Sequence, residues 1–328
     1  MRGMATHPNA VATLQPDLES YRRELTGYCY RMLGSGFEAE DAVQETMVRA
    51  WKNVERLETP AALRSWLYRI ATNVCLDMQQ SAQRRARPMD LSSPSTADSQ
   101  LGAPLPETTW LQPIADARVL PPEGDPAELA AARESIRLAF VAALQHLPPK
   151  QRAVLILCEV LKWKASEAAE LLDTSVASVN SALQRARATL DAAELDEDEI
   201  TSVTEEEQQD LLTRYVDAFQ RYDVAHLVTL LHDDATFQMP PFELWLRGPD
   251  QVAQWMLGPG IECRSAKLRT TSANGCPAVG IYKPDADGVY RPFNLAVLGI
   301  ANGKIVAIDN FLYPELFPEV GLPAELTD

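Results

Sequence analysis

The chain has 328 residues, of which 46% are hydrophobic, and its formal net charge is −16. This length allows two or three domains with hydrophobic cores, and it excludes collagen-like, fully disordered and disulfide-stapled mini-protein architectures. Apolar runs such as 153–158 are far shorter than a membrane span, and residues 1–20 lack the apolar core of a signal peptide. We therefore expect a soluble cytoplasmic protein that makes no membrane contact.

The five cysteines are scattered, no two of them form a Cys-x-x-Cys pair, and only four histidines accompany them. Zinc sites in proteins need Cys and His ligands at close, regular spacing. The sequence therefore predicts no metal site, no disulfide framework and no cofactor.

The charge is unevenly distributed along the chain. A net negative charge argues against a nucleic-acid partner, because Lys and Arg neutralise the phosphates in most such complexes. However, residues 17–88 carry 11 basic and 10 acidic groups, residues 126–195 carry 8 of each, and residues 196–210 carry 8 acidic groups and no basic one. The two near-neutral blocks can therefore still present basic faces.

Helical periodicity, proline content and charge divide the chain into five segments. The first and third segments have helical periodicity, the second contains six prolines that preclude regular helix or sheet, and the fourth is acidic. The fifth combines two amphipathic helices with later β-like runs, the last two of which are joined by an Asn302-Gly303 hairpin turn. The predicted bounds are 17–88, 89–125, 126–195, 196–203 and 204–318. The β-like runs are Ala235–Met239, Ala278–Tyr282, Phe293–Ile300 and Ile305–Phe311.

The first helical segment contains an acidic helix face. The apolar residues of this helix recur at helical spacing and predict a buried stripe of Val43, Met47, Ala50, Trp51 and Val54. The opposite face holds Asp41, Glu45, Val48 and Lys52. Such a face is either ordinary solvated surface or, given the apolar Val48 among the acids, a partner surface.

Residues 63–78 predict a second amphipathic helix, with Trp66, Asn73 and Asp77 along one flank and Arg69 nearby. An aromatic ring can stack on an unpaired base, and Asn can both donate to and accept from a base edge. The alternative is that Trp66 only packs against neighbouring side chains.

The third segment has helix-turn-helix proportions. Residues 165–172 and 176–190 predict two helices separated by a short turn at 173–175, and the small Ala168 and Ala169 permit close helix crossing. Val176, Val179, Leu183, Ala186 and Leu190 form the predicted core stripe of the second helix. The polar surface of that helix can reach base edges, with Arg187 and Lys162 or Lys164 at phosphates. A three-helix scaffold with a solvated face is the alternative. The side chains of the polar surface are Ala177, Asn180, Ser181, Gln184 and Arg185.

In the fifth segment, His232 and Asp309 make an acid/base site conceivable. Asp233 and Asp234 are expected to turn the chain into the strand at Ala235. Five aromatic residues either line a pocket or pack in the core, namely Phe237, Phe242, Trp245, Trp255 and Phe293.

Four stretches resemble bacterial sigma factors of the extracytoplasmic-function group, the subunits that direct RNA polymerase to promoters. Residues 28–51, including Glu-Asp-Ala-Val-Gln-Glu at 40–45, are similar to region two, and residues 64–73 to its promoter-melting helix. Residues 147–154 and 178–187 are similar to region four. The resemblance implies two all-α sigma modules, a region-two helical bundle and a region-four helix-turn-helix.

The resemblance also implies roles for individual residues. Asp41, Gln44 and Glu45 would bind core RNA polymerase, and residues 57–62 would capture a flipped base. Residues 110–113 of the linker would thread the polymerase cleft. Two sets of side chains would read promoter DNA: Trp66, Arg69, Asn73 and Asp77 at the minus-ten element, and Asn180, Ser181, Gln184, Arg185 and Arg187 at the minus-thirty-five element.

Residues 204–318 are similar to the SnoaL-like branch of the nuclear-transport-factor-two-like fold, which is fused to some sigma factors and tunes their activity in cis. The resemblance predicts a C-terminal α+β cone. The chain lacks the Asp-Gly-Gly-Gly-Lys and Asn-Pro-Asp-Lys stretches of the best-known fused type. It is closer to a sister type with Met-Pro-Pro at 239–241 and Trp-Leu-Arg-Gly at 245–248.

These features predict a non-enzymatic sigma factor whose partners are core RNA polymerase and promoter DNA. Its C-terminal domain would bind either a small molecule or another part of the same chain. The alternatives are a SnoaL-like enzyme that uses Asp309 or His232, and a ligand-sensing regulator with a single helix-turn-helix.

Overall fold

The computed structural model describes residues 18–57, 59–79, 84–191 and 204–327. Its described residues divide into two compact units. The first comprises residues 18–79, 117–136 and 143–191, and the second comprises residues 84–116, 137–142 and 204–327. The predicted acidic segment 196–203 lies outside the described residues. Within the described ranges, no helix is both long enough and apolar enough to cross a bilayer.

Helices make up the regular structure between residues 18 and 191. Ser35 begins the second helix, because its side chain accepts a hydrogen bond from the Glu38 N–H, and Gly34, with φ 74°, ends the helix before it. The helices are α1 (Arg22–Leu33), α2 (Gly36–Lys52), α3 (Leu63–Gln79), α4 (Pro126–Glu134), α5 (Leu138–Gln145), α6 (Pro149–Leu155), α7 (Ala165–Leu171) and α8 (Val176–Asp191).

The turns around α7 have specific backbone geometry. Helix α6 continues into a π-helical segment, Ile156–Val160, and the chain then reverses at Lys162, which has φ 58°. Asp173, with φ 50°, forms the turn between α7 and α8 at the place where the sequence predicts it. Ala168 and Ala169 are buried, as the close crossing of these two helices requires.

The second unit is built on a six-stranded mixed sheet with the strand order β2-β1-β6-β5-β4-β3. The four predicted β-like runs correspond to β1, β4, β5 and β6, and Asn302 and Gly303 both have positive φ in the predicted hairpin turn. The sequence analysis missed β2 and β3. The strands are β1 (Leu231–Gln238), β2 (Trp245–Arg247), β3 (Lys267–Ala273), β4 (Cys276–Pro284), β5 (Tyr290–Ala301) and β6 (Lys304–Phe311).

Three helices pack against one face of this sheet, namely α9 (Glu205–Gln220), α10 (Val224–Thr229) and α11 (Pro249–Leu257). Their apolar residues, including Leu211 and Trp255, share one core with Leu298 and Ile308 of the sheet. Strand β1 begins at Leu231, directly after α10. Asp233 and Asp234 lie within β1 rather than in a turn before it.

The proline-rich segment 84–116 packs against the same sheet. Trp110 is 0% exposed, and Leu111 and Ile114 are also buried. Backbone hydrogen bonds attach the segment at separate places, from the Leu105 N–H to the Pro241 carbonyl and from the Asn274 N–H to the Ile114 carbonyl. As its prolines predict, the segment has no long helix or strand, yet buried side chains and backbone hydrogen bonds attach it to the second unit.

We expect Trp110→Ala to destabilise the second unit, because truncating a fully buried Trp costs about 3–5 kcal/mol. Urea denaturation should show a lower unfolding free energy, and hydrogen exchange should accelerate at the Leu111 amide, which donates to the Ala86 carbonyl. Leu101→Ala is the matched control, since Leu101 lies in the same segment and is 44% exposed. Equal destabilisation by the two substitutions would contradict the buried position of Trp110.

Candidate functional site

The acidic side chains Asp41 and Glu45 of α2 are exposed. Asp41, Gln44 and Glu45 all face solvent, whereas Val48 is half-buried. Trp51, which the sequence analysis placed in the buried stripe, is 54% exposed. The buried face of α2 includes Ala42 and Thr46. Trp51 lies seven residues, or about two helical turns, after the exposed Gln44, so the two side chains share the exposed side of the helix.

A single guanidinium connects this face to the flank of α3. Arg49 donates to Glu45 (2.7 Å) and to Asp77 (3.4 Å). The three side chains are each more than 40% exposed, so these ion pairs contribute little to stability. Instead, Arg49 places Glu45, a predicted polymerase contact, next to Asp77, a predicted promoter contact. The four-residue spacing of Glu45 and Arg49 was a usable sequence signal for this pair.

The predicted minus-ten residues lie along α3. Arg69, Asn73 and Asp77 are exposed at four-residue intervals, and Trp66 is half-buried. The opposite face of the helix is buried, with Leu67, Tyr68, Ala71, Val74 and Cys75. Three of the four predicted side chains therefore share one accessible flank, and the Trp66 ring is partly covered.

The predicted minus-thirty-five residues lie on α8. Asn180, Ser181, Gln184, Arg185 and Arg187 are all exposed. Arg185 donates to the Ser181 hydroxyl at 2.6 Å, and Arg187 pairs with the Glu159 carboxylate. These side chains form one polar surface on the second helix of a helix-turn-helix.

The buried side of α8 differs from its prediction at the first residue. Val179 and Ala186 are fully buried, but Val176 is 44% exposed. Val176 is the first residue of the helix, immediately after the turn at Asp173. The N-terminus is fixed by Ser175, whose hydroxyl accepts the Ser178 N–H.

The two candidate acid/base residues of the second unit lie in neighbouring strands, His232 in β1 and Asp309 in β6. Asp309 is buried and accepts a hydrogen bond from Gln238, its neighbour across the β1–β6 pair. The nearby cavity, lined by Arg87 and Leu111 of the proline-rich segment together with Gln238, has a volume of about 10 Å³, which is room for one water molecule. Asp309 is therefore covered by the chain itself.

The five aromatic residues that were candidates for lining a pocket are packed against other side chains or the backbone. Phe237 and Trp255 belong to the core between helices and sheet, and Phe242 and Phe293 pack against it. Trp245 is buried, and its indole N–H donates to the Ser92 carbonyl of the proline-rich segment at 3.0 Å. His232 is half-buried in β1, and its Nδ1 accepts the Asp234 N–H.

Three family models match successive parts of the chain. The model described as Sigma-70 region 2 matches residues 18–85, the model described as Sigma-70, region 4 matches residues 137–190, and the SnoaL-like domain model matches residues 212–308. The fold is therefore that of two helical sigma modules followed by a C-terminal domain with the mixed sheet of a SnoaL-like cone.

Two sigma factors are similar to this chain over more than nine-tenths of its length. The ECF RNA polymerase sigma factor SigG of Mycobacterium tuberculosis is 43% identical over 311 residues, covering 94% of this chain and 83% of SigG. SigJ of the same organism is 27% identical over 92% of each chain. The crystal structure of SigJ has a TM-score of 0.61 to this chain at 25% identity, covering 94% of this chain and 99% of SigJ. The chain belongs to the ECF family of RNA polymerase sigma factors, and it directs transcription initiation at promoters.

Burial raises the pKa of the Asp309 carboxyl, although the nearby charge of Arg87 partly offsets this. The folded protein therefore retains this proton to a higher pH than the unfolded chain, whose carboxyl pKa is about 3.9. The stability of the wild type falls as the pH rises from that value through the higher folded pKa.

We expect Asp309→Asn to abolish this decrease in stability at higher pH. The amide oxygen carries no charge and can still accept the hydrogen bond from Gln238. The thermal midpoint of the variant should exceed that of the wild type at pH 7 by a margin that shrinks on acidification. Asp233→Asn, at an exposed carboxylate of β1, is the control. Parallel pH profiles for Asp309→Asn and wild type would contradict the assignment.

Proposed function

We propose that this sigma factor has three separate polar surfaces, each with a different binding partner. One surface binds core RNA polymerase, and the other two read the minus-ten and minus-thirty-five elements. The observation that supports this division most strongly is the exposure of these residues, apart from the half-buried Trp66, on helices whose opposite faces are buried. The order of the surfaces along the chain also matches the order of the sigma regions.

The polymerase-binding surface consists of Asp41, Gln44 and Glu45 on α2. Charges of one sign on a rigid helix favour a partner surface rich in Lys and Arg, and they steer the encounter between the two proteins. The helix needs no rearrangement to present these side chains, because Ala42, Val43 and Met47 fix it on its other face.

The minus-ten surface consists of Trp66, Arg69, Asn73 and Asp77 on α3. An opened promoter exposes unpaired bases, which aromatic rings stack on and Asn side chains recognise by their edges. The minus-thirty-five surface consists of Asn180, Ser181, Gln184, Arg185 and Arg187 on α8. Its short polar and basic side chains suit the major groove of duplex DNA.

The SnoaL-like domain acts in cis and catalyses no reaction. This proposal is supported by the burial of Asp309 and by the attachment of residues 84–116 to the second unit. A sigma linker that threads the polymerase cleft must first leave this surface, so the domain controls when residues 110–113 become available. We place this activity in the cytoplasm, where core polymerase and promoter DNA are found.

The first test is run-off transcription with sequencing of the products, using host core polymerase and genomic DNA. We expect defined start sites that depend on the protein. Asn180→Ala and Gln184→Ala should each reduce initiation at those sites about tenfold, because a lost base-edge contact costs about 1–3 kcal/mol. Binding to core polymerase should be unchanged. Ala188→Ser, at an exposed position on the same helix, should behave as wild type.

Loss of core binding in Asn180→Ala or Gln184→Ala would contradict the assignment of α8 to DNA. If the wild type yields no starts above core polymerase alone at several salt concentrations, the promoter-factor function itself is wrong. The SnoaL-like domain would then be tested as an enzyme or a sensor.

We expect the double substitution Asp41→Ala, Glu45→Ala to weaken core binding about tenfold, since both charges lie at the centre of the proposed contact. Equilibrium titration of labelled protein with core polymerase measures this, and added salt should weaken the wild type more than the variant. Glu205→Ala, Glu206→Ala removes the same charge from exposed positions on α9 and is the control. Equal losses in both double variants would show that only net charge matters.

A further inference from the structure

One of the four residues on the proposed minus-ten surface is acidic. Asp77 is the last of the four along α3, and its side chain is 57% exposed. A carboxylate at this place is unfavourable by charge alone, because it repels the phosphates of the DNA strand that the surface would bind. Asp77 therefore needs a compensating cation or a specific task in recognition.

A cation reaches Asp77 from another helix. Arg49 of α2 donates from Nη1 to Oδ2 of Asp77 at 3.4 Å and from Nε to Oε1 of Glu45 at 2.7 Å. The two bonds use different nitrogens of one planar guanidinium, so together they fix its orientation. Glu45 holds Arg49 from its own helix, and Arg49 in turn holds a carboxylate on α3.

Packing fixes the backbone at both ends of this bridge. Thr46 and Ala50, on the two sides of Arg49 in α2, are 0% exposed, and so is Cys75 in α3. The Asn53 side chain donates to the Arg49 carbonyl at 2.8 Å, where α2 ends. Because the two helices are fixed, the ion pair decides only the orientation of the exposed side chains.

The chemistry of an aspartate limits the bases that Asp77 can favour. An ionised carboxylate accepts hydrogen bonds and donates none. Cytosine, adenine and guanine carry an exocyclic amino group, whereas thymine offers only a ring N–H between two carbonyl oxygens, and these oxygens repel a carboxylate. A well-placed Asp77 therefore favours an unpaired base with an amino group over thymine.

Such a preference depends on the direction in which the carboxylate points. An unrestrained aspartate side chain occupies several rotamers, and ordering it during binding lowers the affinity for the preferred base. The bond to Arg49 restricts Asp77 before DNA arrives. This bond uses Oδ2 of Asp77, so Oδ1 can accept from a base. The guanidinium also offsets the negative charge of Asp77 beside the phosphates.

We propose that Arg49 is a positioning residue for promoter recognition: it orients Asp77 so that the minus-ten surface prefers an amino-bearing base over thymine at one position. This rests on the proposed function of α3. Arg49 acts through Asp77 and contacts no base itself. Exposed ion pairs are weak, so we expect Arg49 to account for about a threefold part of this preference.

Transcription from a promoter library tests this role. Each position of the minus-ten element is changed to each of the four bases, and the full chain transcribes the mixture at a saturating concentration of core polymerase. The base preference at a position is a ratio within one reaction, so differences in the amount of active complex cancel.

We expect Asp77→Ala to abolish the preference for an amino-bearing base over thymine at one position. Arg49→Gln should reduce this preference about threefold at the same position and at no other. Arg49→Lys keeps a cation beside Asp77 and should restore part of the preference. Arg49→Gln should change nothing further in the Asp77→Ala background, because the two side chains act as one unit.

Arg22→Gln is the matched control, because Arg22 forms a similarly exposed ion pair with Glu19 at 2.7 Å in the same unit. It should leave every base preference unchanged, and circular dichroism checks that each variant is folded. The proposal is overturned if Arg49→Gln keeps the wild-type preference at the position that Asp77 reads, if it changes all positions alike, or if it acts further in the Asp77→Ala background. An unchanged base preference in Asp77→Ala refutes the proposed base contact itself, and the role of Arg49 is then wrong as well.

Discussion

The division of each helix into a buried face and an exposed face is the constraint on which the function of the first unit depends. Helices α2, α3 and α8 each bury small or apolar residues and leave their polar side chains in solvent. Burial supplies the stability, so the exposed positions are free to carry residues chosen for binding. The same packing makes the surfaces rigid, and Arg49 links two of them by contacting Glu45 and Asp77.

The sheet of the second unit is also covered by other parts of the chain. One face packs against α9, α10 and α11, and Asp309 points to the other, which the chain covers with residues 84–116. The Asp309 carboxyl is buried, and it accepts a hydrogen bond from Gln238 of the neighbouring strand.

Aromatic rings make contacts between distant parts of the chain in both units. Trp110 of the proline-rich segment is fully buried in the second unit, and in the first unit the ring of Trp163 lies 5.1 Å from the ring of Tyr68. Both contacts rely on aromatic rings, whose large buried area provides attraction without a fixed covalent link.

The amino-acid sequence by itself determined the features that depend on local periodicity and turn chemistry. It gave the acidic face of α2, the polar face of α8, the turn at Asp173 and the Asn302-Gly303 hairpin, because these follow from residue spacing and backbone preference. The roles of the site residues stay predictions. Tertiary structure alone decided the exposure of Trp51 and Val176, since periodicity marks an apolar position but not whether a neighbour covers it. It also decided the short edge strand β2, the anchoring of the proline-rich segment and the contact of Trp163 with α3. These depend on residues far apart in the chain, and no local pattern encodes which surface a distant segment will meet.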